Sequence, residues 1–515
     1  MTRHPSRTRV VVVGAGMVGT RFAEELVRAD PEGRFAVTLL GEEEYEPYNR
    51  ILLTELVAGR AELGGLALAR PHRVTVRNGA RVDRIDRESR TVHVGAEEVA
   101  YDHLVLATGA RARVPGVPGL DGPARGEALP GGVFVLRNVD DARGITAAAL
   151  NARRAVVVGG GPLGVEAACG LRLRGVKVEV VSFAGHLLDR DLDPEPGRLL
   201  AEAVGDLGVG FHGNASLAGV THHGGHVDAV VLDDGRTLPA DLVVLACGAV
   251  PETALAATAG LDVAHGVVVG DDLATPADPA VHAIGDCAQT PSGVSGLVAP
   301  GWEQARALAA ALAGGTAAAP VPVVVDGAAM RLKAAGVSLV AQGRKASTAD
   351  GARVLTVSDP HARRFVEVVV DGDTLVGMTC LGAAELASSL SVQLGRPGII
   401  PLDPLQLLAP SAGSGDATAG SPTTMPGSTT VCRCNGVTKR DLVSAWEDGA
   451  CSVPALATST RATTGCGGCV SLVRGIADWL QASDPGVSTT AARSTGGEDG
   501  SQPVPADREP VVKGA

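Results

Sequence analysis

The chain has 515 residues, too many for one hydrophobic core and enough for three or four domains. Its apolar fraction is 45% but aromatics supply only 2%, so alanine, valine, leucine and 68 glycines must fill the interior, as in closely packed α/β layers. A formal net charge of −12 argues against a broad nucleic-acid footprint. No apolar run approaches the roughly 20 residues that span a bilayer, so no membrane association is expected.

The opening stretch "MTRHPSRTRVVVVGAG" places a glycine turn directly after four valines, and so reads as a first strand rather than a signal peptide. Nine scattered cysteines, an odd number, do not form a secreted disulfide framework, and a cytoplasmic protein is expected. "RVVVVGAGMVGTRFAEELVRA" then gives a buried strand, a glycine turn and a helix starting near Met17. In "GAGMVG", Gly14 permits the tight turn, Gly16 lets the backbone approach a pyrophosphate, and Gly19 lets helix and strand pack closely. The helix N-terminus offers free N–H groups and partial positive charge to the phosphates. After the next strand, "FAVTLLGEE", an acidic run from Glu42 to Glu44 supplies a carboxylate for ribose hydroxyls, with Glu42 the first choice.

The same grammar recurs at "RRAVVVGGGPLGVEAACGLRLRG", with Gly159, Gly161 and Gly164, about 145 residues further on. The strand after it ends in Ser182, where a carboxylate would mark NAD, and no adjacent arginine marks NADP. Two nucleotide sites in one chain suggest a flavin and a nicotinamide. "YDHLVLATGA" (with Ala107, Thr108 and Gly109) and "DLVVLACGAVPE" (with Gly248) each end a buried strand in a glycine turn. "HAIGDCAQ" sets Asp286 after Gly285, where a carboxylate suits a ribityl hydroxyl.

From about residue 316 to 409 the pattern becomes α+β: "PVPVVV", "VSLVAQG", "RVLTVSD" and "FVEVVVDGDTLVGMTCLG" read as strands and "AAELASSLSVQL" as a helix. Residues 410–430 read as a flexible linker, with an r.m.s. span of roughly 25 Å. Residues 431–482 hold Cys432, Cys434, Cys466 and Cys469 as C-x-C and C-x-x-C. Four thiolates can bind zinc or a [2Fe–2S] cluster, or pair as disulfides, and C-x-C is tight for zinc. Residues 483–515 read as a disordered tail. Cys451 reads as buried and structural, and Cys169, Cys247, Cys287 and Cys380 as core.

On these motifs, residues 8–315 resemble the two-dinucleotide flavoprotein reductases. The resemblance implies an FAD domain from residues 8–117 and 251–315 and an NAD(P)H domain from 118–250, both Rossmann-like. It also implies an α+β interface domain over 316–409. "YEPYNRILL" and "GLVAPGWEQARALA" resemble that family's flavin-ring segments, implying roles for Pro47, Arg50, Glu303 and Gln304. No cysteine precedes Cys169, so the dithiol relay of many relatives is absent. Glu55 stands where ferredoxin-reductase-like relatives often carry a lysine paired to a glutamate matching Glu166; that pair cannot form, which puts in question a nicotinamide role for Glu166.

"VCRCNGVTKRDLVSAWEDGACSVPALATSTRATTGCGGCVSLV" resembles the bacterioferritin-associated-ferredoxin type of small helical domain, which implies [2Fe–2S] ligation by Cys432, Cys434, Cys466 and Cys469. Joined to the flavoprotein, it implies a step-down from NADH or NADPH, a two-electron donor, to a one-electron acceptor. The combination resembles the electron-transfer subunit of assimilatory nitrate reductase and the front half of the NAD(P)H nitrite reductase large subunit. The implied partner is a molybdenum nitrate reductase catalytic subunit or a sirohaem nitrite reductase, with a homodimer left open. A rubredoxin, ferredoxin or oxygenase reductase is the second reading, and a redox-sensing or iron-handling binding protein the third.

Overall fold

The computed structural model describes residues 7–120, 129–314, 329–334, 336–395, 407–408, 422–423, 425–432, 435–465 and 467–483. The valine run forms the strand Thr8–Val13 at the centre of a six-stranded sheet. Its order is Ala274–Thr275, Asp278–Ala283, His103–Leu106, Thr8–Val13, Phe35–Leu40, Val74–Arg77. All neighbours are parallel except the first pair. A parallel strand covered on both faces must be apolar on both, so it carries consecutive valines rather than an alternating pattern. Val10 to Val13 are accordingly all buried. The helix Met17–Ala29 packs Phe22, Ala23 and Leu26 onto this sheet, beside the helix Val298–Leu312 that returns from the far end of the unit.

The second glycine turn heads a five-stranded parallel sheet ordered Val209–His212, Lys177–Val181, Arg154–Val158, Leu242–Leu245, Val133–Val135. Each sheet thus has its glycine turn at the carboxyl end of a strand flanked on both sides, the crevice where open α/β sheets bind ligands.

The third unit is an antiparallel sheet ordered Ala329–Leu332, Leu339–Gly343, Thr374–Leu381, Arg364–Asp371, Arg353–Asp359, with the helix Ala384–Gln393 against it. Leu332, Leu339, Phe365 and Leu381 join the hydrophobic core of the nucleotide unit bearing Leu199 and Leu200. Arg363, paired to Glu202 at 2.6 Å and Asp206 at 2.8 Å, reinforces that seam. The strand Ala329–Leu332 was not anticipated from sequence, whereas the segment "PVPVVV" lies outside the described residues.

The cysteine-bearing unit pairs strands Thr430–Cys432 and Val437–Thr438, followed by helices Lys439–Glu447, Val453–Thr460 and Val470–Ser483. It has a core of its own, built on Leu442, Trp446, Leu456, Val473 and Ile476. That core begins earlier than residue 431: Met425 and Thr429 are buried. Lys439 Nζ donates to the Met425 carbonyl at 2.8 Å and lies over the Trp479 ring. The end of the segment read as linker therefore packs with this unit, while 410–421 and 484–515 lie outside the described residues. No helix among the described residues is long and apolar enough to cross a membrane.

Candidate functional site

The glycines of the two turns divide into two groups by what surrounds them. A Cβ on Gly14, at φ +115°, would lie 2.1 Å from the Ala107 carbonyl oxygen, and one on Gly19 2.1 Å from the Gly14 oxygen. Gly159 and Gly164 repeat this against Ala246 and Gly159 at 2.3 and 2.0 Å. These four let strand, turn and helix touch. Gly16 and Gly161 differ: protein crowds neither, the nearest atom to a Cβ on Gly16 being Arg50 Nε at 3.9 Å, with nothing within 4 Å at Gly161. Both are N-cap residues without a side-chain cap, so the first N–H groups of helices Met17–Ala29 and Pro162–Leu173 face open space. A glycine cradle that protein does not fill, at a helix N-terminus, suits a dinucleotide pyrophosphate.

Around the first turn, Arg50 forms an ion pair with Glu43, and Glu43 accepts from Tyr48 OH at 2.6 Å. Tyr48 OH in turn accepts from the Val139 N–H at 3.0 Å. Burial drives the Tyr48 phenol upward, so it stays protonated and serves as a hydrogen-bond donor. Glu43 is thus the inward member of the acidic run. Glu42 is on the rim, largely exposed and 3.6 Å from Arg81. Asp286 accepts from Arg137 Nη2 at 2.6 Å, and Arg137 Nε also donates to the Ala110 carbonyl at 2.7 Å. This clasp between the two nucleotide units was missed in the sequence, since Arg137 lies in no motif. Thr108 Oγ1 donates to the Glu252 carbonyl, and Gly109, Gly248 and Gly285 all have positive φ. Gln304 is buried, its Oε1 accepting from the Gly285 N–H at 2.7 Å, so it braces the turn from behind, while Pro47, Arg50 and Glu303 line the cavity.

Glu166 is not an idle helix residue. It is buried, and Lys333 of the third unit meets it with both Nζ, at 3.0 Å, and the backbone N–H, at 2.9 Å. Thr54 Oγ1 donates to its second oxygen at 2.7 Å. Glu55 pairs instead with Arg60 at 2.6 Å, and the cation absent at position 55 is supplied by Lys333, 167 residues downstream of Glu166. At the second turn, Ser182 is buried beneath Gly160 and accepts from the Ala184 N–H, and Phe183 beside it stands exposed. Cys247 is only half-buried and borders this turn, its thiol pushed up to about 11 by desolvation. Cys451 is half-buried rather than core, whereas Cys169, Cys287 and Cys380 are buried.

At the other end of the chain Cys432 and Cys469 approach each other, both buried. The Cys432 thiol is held below its ordinary value, first by its hydrogen bond with Cys469 and then by N–H donors, with burial opposing. Asn435 Nδ2 reaches Cys432 Sγ at 3.7 Å, and the Thr463 N–H reaches Cys469 Sγ at 3.3 Å. Thr463 has positive φ, and it is its N–H that meets the Cys469 sulfur. Such N–H···S donation suits thiolate ligands of an iron–sulfur centre. Cys434 and Cys466 lie outside the described residues.

All three regions open into one cavity of 2860 Å³. Its lining includes Gly16, Arg50 and Asp286; Gly161, Glu166 and Lys333; and Cys432, Gly467, Gly468 and Cys469.

Residues 8–309 match the family model described as pyridine nucleotide-disulphide oxidoreductase, and residues 430–479 the BFD-like [2Fe-2S] binding domain. The large subunit of NAD(P)H nitrite reductase from Klebsiella oxytoca is 34% identical over 93% of this chain and 49% of its own length. The assimilatory nitrate reductase electron transfer subunit of Bacillus subtilis is 30% identical over 93% of this chain and 60% of its own. The chain therefore spans about half the length of such relatives. Among solved structures, the ferredoxin reductase for the CYP199A2 system of Rhodopseudomonas palustris superposes with a TM-score of 0.65. It is 28% identical and covers 76% of this chain and 96% of that one.

Proposed function

Because this chain belongs to the pyridine nucleotide-disulphide oxidoreductase family and carries a BFD-like [2Fe-2S] binding domain, we propose that it oxidises NAD(P)H and delivers the electrons singly to a nitrate- or nitrite-reducing partner. The observation that supports this most is the shared cavity, with both open glycine cradles and the Cys432–Cys469 pair on its walls.

When bound, FAD would take up a hydride from the nicotinamide and the [2Fe–2S] cluster would supply a one-electron outlet. The chain's own part is placement. Gly16 and the helix N–H groups behind it would hold the FAD pyrophosphate, and Asp286, oriented by Arg137, would meet the ribityl chain. Gly161 holds the second pyrophosphate. The Glu166 carboxylate, oriented by Thr54 and neutralised by Lys333, lines the same cavity and would border the nicotinamide. Arg50, oriented by its ion pair with Glu43, lines the cavity and would offer its remaining guanidinium N–H groups to the flavin. Cys432 and Cys469, with Cys434 and Cys466 from the same motifs, would ligate the cluster.

The acceptor is tested by reconstitution. Purified chain plus NADH is mixed in turn with a molybdenum nitrate reductase catalytic subunit, a sirohaem nitrite reductase and a rubredoxin. Nitrate- or nitrite-dependent NADH oxidation supports the proposal; turnover with rubredoxin alone contradicts it and favours the carrier-reductase reading.

A further inference from the structure

The cluster domain and the third unit are both appended to the nucleotide-binding body, but by different physics. The third unit shares a continuous hydrophobic core with it. The cluster domain keeps a separate core, and among the described residues its hydrogen bonds and ion pairs to the first nucleotide unit form a polar seam. On helix Met17–Ala29, Glu24 pairs with Arg461 at 2.5 Å, and Glu25 lies 3.8 Å from the same guanidinium. Arg21 pairs with Glu25 at 2.6 Å and donates to Asn435 Oδ1 at 2.9 Å. Arg28, on the solvent side, closes the set by pairing with Glu25. Further along, Asn49 Nδ2 donates to the carbonyls of Thr464 and Gly465 at 2.8 and 2.9 Å.

These contacts grip the cysteine loops rather than the outer helices. Asn435 is the hinge of the arrangement: its oxygen accepts from Arg21 while its nitrogen donates to the Arg461 carbonyl at 2.7 Å and reaches Cys432 Sγ. Asn49 directly precedes Arg50 on the wall of the cavity. The charges are desolvated when docked: burial pushes the Glu24 carboxyl up and the Arg21 and Arg461 guanidiniums down. On the body Arg21 and Arg28 balance the charge of Glu24 and Glu25, and Arg461 pairs with the same two carboxylates from the cluster domain. On separation these charged groups return to water, which offsets the loss of their pairing.

We propose that Arg461 on Glu24 and Glu25, Arg21 on Asn435, and Asn49 on the Thr464–Gly465 carbonyls form a reversible, salt-sensitive latch that seats the cluster domain at the flavin wall and releases it toward the electron acceptor. This rests on the electron-relay reading above, yet docking is measurable without it. The test uses the full chain as Glu24→Arg, Arg461→Glu and the double swap, with Glu24→Gln as a milder variant, all checked for fold by circular dichroism. Small-angle X-ray scattering at low and high salt reads docking, and stopped-flow mixing with NADH reads flavin and cluster reduction separately.

The wild type should scatter as a compact particle at low salt and extend at high salt. Both single reversals should be extended at low salt, Glu24→Gln intermediate, and the double swap compact again. Cluster reduction should slow about tenfold or more in the single reversals, matching loss of a ~1.4 kcal/mol coupling, and recover in the swap. Flavin reduction by NADH should be unchanged in all. Single reversals that scatter like the wild type, or a swap as extended as its parents, would overturn the latch. A latch that behaves as stated in a protein whose cluster takes no electrons from the flavin would overturn the relay and leave the latch standing.

Discussion

At Gly16 and Gly161 the protein leaves room that it does not use, whereas at Gly14 and Gly159 it leaves none. Gly16→Ala and Gly161→Ala should therefore fold, each within about 1 kcal/mol of wild type, because both glycines already have ordinary negative φ. The first should lose FAD on purification and the second should raise the KM for NADH by roughly tenfold or more. Flavin absorbance and steady-state kinetics separate the two, and a Gly16→Ala protein that keeps its full flavin would contradict the assignment. Lys333 makes a different prediction. Lys333→Met strands a buried carboxylate at Glu166 and should cost about 3 kcal/mol in denaturant unfolding. Adding Glu166→Gln should restore much of it, while slow NADH-driven flavin bleaching persists in both. The glycine pattern was legible because it is a local steric demand written in adjacent residues. The Lys333–Glu166 pair was not, because only the docking of one unit on another brings its members together. Arg137 escaped notice for the same reason.

Strands reveal themselves at the element scale when burial on both faces forces unbroken valine runs, as in Thr8–Val13 and Arg154–Val158. The hairpin from Arg364 to Leu381 was equally plain, turning at Gly372 with φ +60°. Ala329–Leu332 was not, since its four residues "AMRL" carry no β-branched side chain and, among the described residues, pair with the strand Leu339–Gly343 alone. The strand Asp278–Ala283 holds a titratable group that its pattern conceals. His282 is buried beside His103, and desolvation, aided by His103 and opposed by Asp272, the Leu273 backbone and Asp278, lowers it from 6.5 to about 4. Above pH 6.5 it is neutral folded or unfolded and has no effect. Between 6.5 and 4 the unfolded chain takes up the proton first, so stability should fall with pH, by up to ~3 kcal/mol. His282→Leu should flatten that slope in urea melts across the window. An unchanged slope would show that other groups carry it.

For the whole molecule, one cavity reaches from Gly161 to Cys432 and Cys469, and its last wall is held to the body by the polar seam at Glu24 and Arg461. The sequence told which parts were present, but not that the cluster domain would sit on the flavin side. Nor did it mark Glu24 and Arg461, which are ordinary surface charges until the two units meet. Cys469→Ser should lose the cluster yet keep NADH-dependent reduction of a two-electron dye at near wild-type rate. Loss of both would mean that the cluster domain is needed to build the flavin site. On this reading electrons from NADH pass through the flavin to the cluster within one chain. Its most direct test is an anaerobic NADH titration of the purified protein followed by visible absorbance and EPR. Bleaching of the flavin band together with the appearance of a reduced [2Fe–2S] signal is the expected result. A bleached flavin with bound zinc in place of iron, or with a cluster that stays oxidised at equilibrium, would contradict it.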